Sequence, residues 1–209
     1  MPSGPLAIGS LETTAALRLS PILAEFVAAY PAVDISLRTG TSRELVDQVL
    51  DRCVDGAFVC GPVNHGDLSV EPFFREELVL VTAPSVANLE AILEKRDLKI
   101  VVLKAGCPYR LHLEAWLARH GIVRVRSLEL GTLEAIVGCV GAGLGITLLP
   151  RALIGSVWRR ERVAIHPLPS GEGSVETVFI RHRDAYAMSA LGAFLDLAQP
   201  KLAKISTAE

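Results

Sequence analysis

Residues 33–60, VDISLRTGTSRELVDQVLDRCVDGAFVC, contain the pattern that decides the fold of this chain. Residues 33–37 alternate apolar and polar side chains, which predicts a half-buried strand. Thr41 and Glu44 have the spacing of a capping box, which predicts the start of a helix. Residues 56–60 are a short apolar run before Gly61-Pro62 and predict a second strand. A strand, a helix and a strand in so short a stretch are typical of a parallel α/β unit.

The same alternation of strands and helices continues on both sides of this unit. Residues 6–9 predict a buried first strand, and residues 13–30 predict a helix that Pro21 should kink or end after its first turn. The first sixty residues therefore predict a doubly wound half-domain. Further strands are predicted at residues 70–74, 78–82, 98–103, 123–130, 146–149, 163–168 and 175–180, and further helices at 109–120, 132–142 and 185–198.

The composition argues against nucleic acid or membrane as a direct partner of this segment. Its 21 Lys and Arg residues against 23 Asp and Glu residues give a net charge of −2, which offers no field to attract a polyanion. The sequence contains neither a long uninterrupted apolar run nor the pattern of a secretory signal. The four cysteines form no CxxC pair and are typical of small buried residues in a reducing cytoplasm, which is the expected compartment.

The sequence predicts no catalytic residues, no metal site and no cofactor. The glycine-rich segment 141–145 resembles a dinucleotide fingerprint, but a helical pattern precedes it and a strand follows it. We therefore expect these glycines to form a helix C-terminus and a tight turn. The five histidines lack the spacing of a zinc site, and no nucleophile elbow or Walker loop is present. A non-enzymatic binding module is the expected class.

Three segments in this order, together with Tyr109-Arg110 and Trp116-Leu117, resemble the effector-binding domain of LysR-type transcriptional regulators. They are LAIGS through SPILAEF to Tyr30-Pro31 (residues 6–31), LRTGT through VDGAFV (residues 37–59), and GTLEAIVGCVGAGLGITLLP (residues 131–150). The resemblance covers nearly the whole chain. It implies a type 2 periplasmic-binding-protein-like fold, with two Rossmann-like α/β lobes joined by two crossing strands.

The resemblance also implies an organisation and a set of partners. Residues 1–83 with 161–209 are expected to form regulatory lobe I, and residues 84–160 regulatory lobe II. The winged helix-turn-helix of the family is absent from this chain, so DNA would be contacted only through that missing N-terminal part. A homodimer through antiparallel lobe contacts is expected, with a tetramer for the full-length protein.

The effector is expected between the lobes, where helices begin beyond the carboxyl ends of strands. Amide groups at helix starts carry partial positive charge, so a small organic anion is the expected ligand class. Each of these residues also has a structural interpretation, since Ser and Thr commonly cap helices and Arg110 is equally typical of a solvated first turn. The candidate ligand-binding residues are Leu11, Glu12, Thr13, Thr14, Thr41, Ser42, Cys107, Tyr109, Arg110, Gly131 and Thr132.

Two other functions share this frame. A solute-binding protein of a transporter uses the same clamp, and a helix-turn-helix or a signal sequence upstream would distinguish the two. A small-acid dehydratase or deaminase would need a general acid or base in the cleft, for which Glu12 is the candidate.

Overall fold

The computed structural model describes residues 1–94, 97–156, 162–169, 171–186 and 188–203. The chain forms two compact units, of which the first comprises Met1–Glu76 and Val175–Glu209 and the second Glu77–Ser174. From the sequence, the two boundaries between the lobes were expected near residues 83 and 161, and residue 161 lies outside the described residues. In chain order the elements are β1 (Gly4–Ser10), α1 (Glu12–Thr14), a π-helical segment (Ala15–Leu19), α2 (Ser20–Ala29), β2 (Val33–Thr39), α3 (Ser42–Leu50), β3 (Gly56–Cys60), β4 (Leu68–Thr82), α4 (Glu90–Leu93), β5 (Leu98–Val102), α5 (Pro108–Arg119), β6 (Val125–Glu129), α6 (Leu133–Gly141), β7 (Thr147–Pro150), α7 (Leu153–Ser156), β8 (Ala164–Pro167), β9 (Ser174–His182) and α8 (Ser189–Ala203).

The first unit is built on a mixed sheet with the strand order β2-β1-β3-β9-β4. Strand β1 pairs in parallel with both β2 and β3, as the opening pattern of the sequence predicts. Strand β9 returns from the far end of the chain and pairs antiparallel with β3. The carboxyl ends of the three parallel strands therefore meet at one edge of this sheet.

Hydrophobic clusters cover both faces of that sheet, because successive strand residues point to opposite sides. One cluster joins Phe58 of β3 to Phe26 of α2 and Phe194 of α8. The other joins Ala57 and Val59 of the same strand to residues of α3, including Leu45 and Val49. The doubly wound half-domain expected from the first sixty residues is thus confirmed.

The long strand β4 corrects the prediction of two strands at residues 70–74 and 78–82. It runs without interruption from Leu68 to Thr82. The charged residues Arg75, Glu76 and Glu77 interrupt the apolar pattern, but each has an ion-pair partner on a neighbouring element, namely Glu176, Arg18 and Arg151. Since these partners satisfy the charges, the polar segment does not end the strand.

The second unit contains a parallel pair, β5 and β6, and two strands that pair antiparallel with β4, namely β7 and β8. Trp116 of α5 is completely buried, and its indole N–H donates to Glu172 Oε2 at 2.7 Å. An isolated bridge from Ile146 to Ile100 links β5 to the residue before β7. Among the described residues, no helix is both long enough and apolar enough to cross a membrane.

The glycine-rich segment forms the turn that the sequence predicts. Helix α6 ends at Gly141, and Gly143 has a φ of +81°. The N–H of Gly143 donates to the carbonyl of Val140 at 2.9 Å, and that of Leu144 to the carbonyl of Cys139 at 3.0 Å. These two bonds are those of a Schellman motif, which needs a residue in the left-handed region and so favours glycine.

The capping box at the start of α3 is confirmed and gives a stability prediction. Thr41 Oγ1 accepts from the Glu44 N–H at 3.3 Å, and the Thr41 N–H donates to Glu44 Oε2 at 2.8 Å. We expect Thr41→Ala to lower the free energy of unfolding by about 1 kcal/mol, because an alanine leaves the Glu44 amide uncapped. Urea unfolding of the two proteins measures this loss. Thr41→Ser keeps the hydroxyl and serves as the control, so equal midpoints for the alanine and serine variants would contradict a capping role.

Candidate functional site

In the first unit, the predicted ligand residues of both helix starts lie together at the carboxyl edge of the sheet. Ser10 and Thr39 are register partners at the ends of β1 and β2, and the Gly40 N–H donates to the Ser10 carbonyl at 3.2 Å. Leu11 and Thr41, the residues at which the two helices begin, follow directly. The end of β3 joins them, because the Cys60 N–H donates to Ser42 Oγ at 3.1 Å.

The two helix starts of this unit differ in how their amide groups are satisfied. At α3 the Glu44 carboxylate accepts from the Thr41 N–H and lies 3.0 Å from Thr41 Oγ1, so this helix start already holds an acid of its own. At α1 the extended residue Leu11 makes no side-chain cap bond. The start of α1 therefore keeps more capacity to donate to an anion than the start of α3.

The first turn of that helix combines a buried hydroxyl with an acid. Thr13 and Thr14 are both buried, and Thr14 Oγ1 has no hydrogen-bond partner among the described residues. Glu12 is half-buried, and this burial raises the pKa of its carboxyl above the usual value. Leaving a buried hydroxyl unpaired costs about 1–3 kcal/mol, so the turn is poorly explained by stability alone.

In the second unit, the predicted residues follow the ends of β5 and β6. The Leu130 N–H donates to the Val102 carbonyl at 3.0 Å, which brings the two strand ends together. Cys107, the residue before α5, makes no side-chain cap bond, whereas Thr132 Oγ1 caps α6 by accepting from the Ala135 N–H at 3.2 Å. Gly131 and Thr132 are exposed, while Cys107 and Tyr109 are buried.

A small pocket lies at the start of α5, and three of the predicted residues line it. They are Cys107, Tyr109 and Arg110, beside the strand residues Val102 and Thr147. Most of the remaining lining is aliphatic. The pocket thus offers an apolar wall, a hydroxyl and a cation.

Arg110 is held by two carboxylates. Its Nε donates to Glu114 Oε1 at 2.9 Å, and its Nη1 donates to Glu129 Oε2 at 2.8 Å. These partners, with the Glu114 hydrogen bond as the largest cause, raise the pKa of Arg110 further. The guanidinium is therefore fixed in place, and an incoming carboxylate would compete with Glu114 and Glu129 for it.

Several residues of these two arrangements were not predicted from the sequence. Glu129 is the last residue of β6, and its position before Gly131 was the available signal. Thr147 and Val102 line the pocket, but nothing in a strand pattern separates them from ordinary core residues. Among the described residues, no group of three or more potential ligands is placed to hold a metal ion.

Comparison with known proteins gives a consistent result for this chain. A family model described as the LysR substrate binding domain matches residues 1–203. The HTH-type transcriptional regulator GltR of Bacillus subtilis (strain 168) is 43% identical over 194 residues, which are 93% of this chain and 66% of GltR. The chain therefore spans about two thirds of the length of this relative.

Solved structures agree in fold at much lower identity. The effector binding domain of QuiR, solved in complex with shikimate, superposes with a TM-score of 0.79 at 18% identity, over 96% of this chain and 97% of that domain. Full-length CbnR, solved with its target DNA, superposes with a TM-score of 0.71 at 17% identity, over 95% of this chain and 70% of that protein. The expected type 2 periplasmic-binding-protein-like α/β fold is confirmed.

Proposed function

Because the chain belongs to the LysR substrate-binding domain family, we propose that it is the effector sensor of a transcriptional regulator and that its effector is a small organic anion. The observation that carries this proposal is the pair of helix starts at Leu11 and Cys107, where the side chain of the N-cap residue makes no capping hydrogen bond. Each follows a strand of a parallel pair, so its amide groups lie at the carboxyl edge of its sheet, the usual ligand position in such folds. One such start belongs to each unit.

The first turn of α1 narrows the class of anion. Glu12 places a carboxyl beside the amides of this helix start, and a simple polyanion would be repelled by it. Thr14 adds a buried hydroxyl without a partner among the described residues. An acid that also carries a hydroxyl or amino group satisfies all three features, because its donor pairs with Glu12 and its carboxylate accepts from the amides and from the Thr14 hydroxyl.

The other predicted residues have supporting roles in this proposal. The starts of α3 and α6 lie at the same carboxyl edges and contribute Thr41, Ser42, Gly131 and Thr132. A threonine that caps a helix can also donate its hydroxyl hydrogen to a ligand. Arg110 contributes a cation that Glu114 and Glu129 already fix in place.

The remaining parts of the proposal concern the whole regulator. The chain spans 66% of GltR, which is an HTH-type transcriptional regulator. We propose that a helix-turn-helix outside these residues binds the DNA. Effector occupancy would act on that part through a homodimer of these domains and a tetramer of the full protein. Action on a bacterial promoter places the regulator in the cytoplasm. Light scattering of the purified domain, with and without effector, measures the first assembly step.

A thermal-shift panel tests the effector class. We expect a hydroxy or amino acid, from a set containing shikimate, citrate, L-aspartate and benzoate, to raise the melting temperature, since a ligand at 100 times its Kd stabilises by about 2.7 kcal/mol. Glucose and putrescine represent neutral and cationic compounds. A panel in which only these two classes stabilise the protein would refute the anion proposal.

Site variants locate the binding. Thr13→Val and Thr132→Val should reduce the ligand-induced shift, while Ser127→Ala, an exposed position on β6, should leave it unchanged. Thr132→Ser keeps the cap and the hydroxyl and should behave as the wild type. Equal shifts for all four variants would place the ligand elsewhere.

The same panel separates the alternatives. The transporter solute-binding function is not favoured, because the matching relatives are transcriptional regulators. An enzyme would consume the acid that stabilises it, so chromatography of the incubated acids distinguishes turnover from binding.

A further inference from the structure

Three consecutive charged residues of β4 lie where the chain passes from the first unit to the second. Arg75 pairs with Glu176 of β9 at 3.3 Å, and Glu76 pairs with Arg18 at 3.4 Å. Both of these pairs lie within the first unit, whose N-terminal segment ends at Glu76. Glu77, the first residue of the second unit, pairs with Arg151 of that unit, and this lowers the pKa of the Glu77 carboxyl.

Of these, the Arg18–Glu76 pair stands out by its burial. The side chains are 9% and 1% exposed, against 72% and 40% for Arg75 and Glu176. Replacing a buried ion pair by apolar residues is often neutral or stabilising, because both charges lose their hydration. Stability therefore does not explain this pair. The guanidinium also lies 6.0 Å from the centroid of the Phe74 ring, so its position is fixed on two sides.

Arg18 belongs to the π-helical segment Ala15–Leu19, which joins the start of the first helix to α2. The Ser20 N–H donates to the Ala15 carbonyl, five residues back, and Ser20 Oγ donates to the same carbonyl at 3.1 Å. A π-helical turn accommodates one extra residue, so it rotates Glu12–Thr14 by about 100° relative to α2 compared with a continuous α-helix. The π-helical turn therefore sets which side of the helix Thr13 and Thr14 occupy.

We infer that Arg18 and Glu76 form a positioning pair, which anchors the π-helical turn to strand β4 and so fixes Thr13 and Thr14 for the effector. This inference rests on the proposed function for the identity of the site, but the anchoring itself does not. The pair connects the first helix directly to the strand residue at the unit boundary. In this inference the Arg18–Glu76 pair does not touch the effector. It affects binding only by setting the register of the π-helical turn and thus the positions of Thr13 and Thr14.

Amide hydrogen exchange tests the anchoring without any ligand. The variant carrying both Arg18→Met and Glu76→Gln removes both charges, so it leaves no buried charge unpaired. If this double variant folds poorly, Arg18→Lys is the alternative, because it keeps both charges and removes only the guanidinium that contacts Glu76 and Phe74. Amides of residues 13–19 should exchange about tenfold faster than in the wild type, relative to amides of β1 and β3. The matched control, Arg75→Gln with Glu176→Gln, removes the exposed pair of the same strand and should leave this ratio within about twofold. An unchanged ratio, or uniformly faster exchange over the unit, would overturn the inference.

Isothermal titration with shikimate, citrate, L-aspartate and benzoate tests the positioning role. Any acid that binds the wild type should bind the double variant at least about fivefold more weakly, with no change in the control variant. Faster exchange combined with unchanged affinity would also overturn the inference, because the turn would then not position the site. If none of the acids binds the wild type, the proposed effector class fails, while the exchange ratio still decides the anchoring.

Discussion

Replacing Phe58 by alanine is expected to lower the free energy of unfolding by about 3–5 kcal/mol, the range for a fully buried phenylalanine. Phe58 is completely buried, and its ring centroid lies 5.1 Å from that of Phe73 and 4.9 Å from that of Phe179. Removing the ring leaves a cavity in the cluster that joins β3 to α2 and α8, and it loses edge-to-face contacts with both Phe73 and Phe179. Urea unfolding followed by circular dichroism measures the change.

Phe58 also supports the proposed site, which gives the variant a second readout. Its carbonyl accepts the Leu11 N–H at 3.2 Å, directly before the first helix. If Phe58→Ala folds at low temperature, we expect weaker stabilisation by the acids of the panel. Tyr186→Ala is the matched control, because Tyr186 is an aromatic residue of the same unit with 92% exposure. A loss below about 1 kcal/mol for Phe58→Ala, no larger than that of a typical substitution, would contradict the described core.

Gly145→Ala is expected to destabilise the second unit by about 1–3 kcal/mol, although it adds only one methyl group. A Cβ at this position would lie 2.5 Å from the Lys99 carbonyl oxygen, which is backbone and cannot rotate away. The same carbonyl accepts the Ile146 N–H at 3.0 Å, so relieving the contact would break the bridge between β5 and the residue before β7. Thermal and urea unfolding measure the loss.

Gly138→Ala is the control for this prediction and should have the opposite sign. Gly138 lies in α6, and a Cβ there would meet nothing within 4 Å. Alanine in a helix interior is more favourable than glycine by about 0.5–1 kcal/mol, so this variant should gain stability. The same substitution at two glycines seven positions apart would then change stability in opposite directions. Similar losses at both positions would show that the close approach at Gly145 is not the cause.

The parts of the fold that were predicted correctly depend on local chemistry. The spacing of Thr41 and Glu44 is sufficient to identify a capping box, and it is present. The order of helix, glycines and strand around Gly143 is sufficient to reject a nucleotide site and to predict a turn, and the Schellman bonds confirm it. Each of these features involves residues within a few positions of one another, so the sequence alone specifies them.

The parts that were missed depend on distant partners. Glu76 interrupts the pattern of β4 unless its partner Arg18 is known, and the two are 58 positions apart. Pro21 was expected to kink the first helix or to mark the end of its first turn. The irregularity is instead the π-helical turn just before it, where Ser20 bonds to Ala15, and Pro21 lies in the first turn of α2. Arg110 was predicted as a ligand residue without its partners Glu114 and Glu129. The eleven candidate ligand residues themselves remain a prediction.

The pairing of β9 with β3 has a consequence for how the chain folds during translation. The first unit contains both chain ends, whereas the second is one continuous segment. The ribosome therefore synthesises all of Glu77–Ser174 before Ile180 can pair with its register partner Ala57. At about 5–20 residues per second, β3 stays for several seconds with an open edge, the kind of surface that chaperones and aggregating neighbours recognise. Nascent chains that have emerged from the ribosome only as far as Ser174 should consequently contain a folded second unit, while the first unit still lacks β9 and α8.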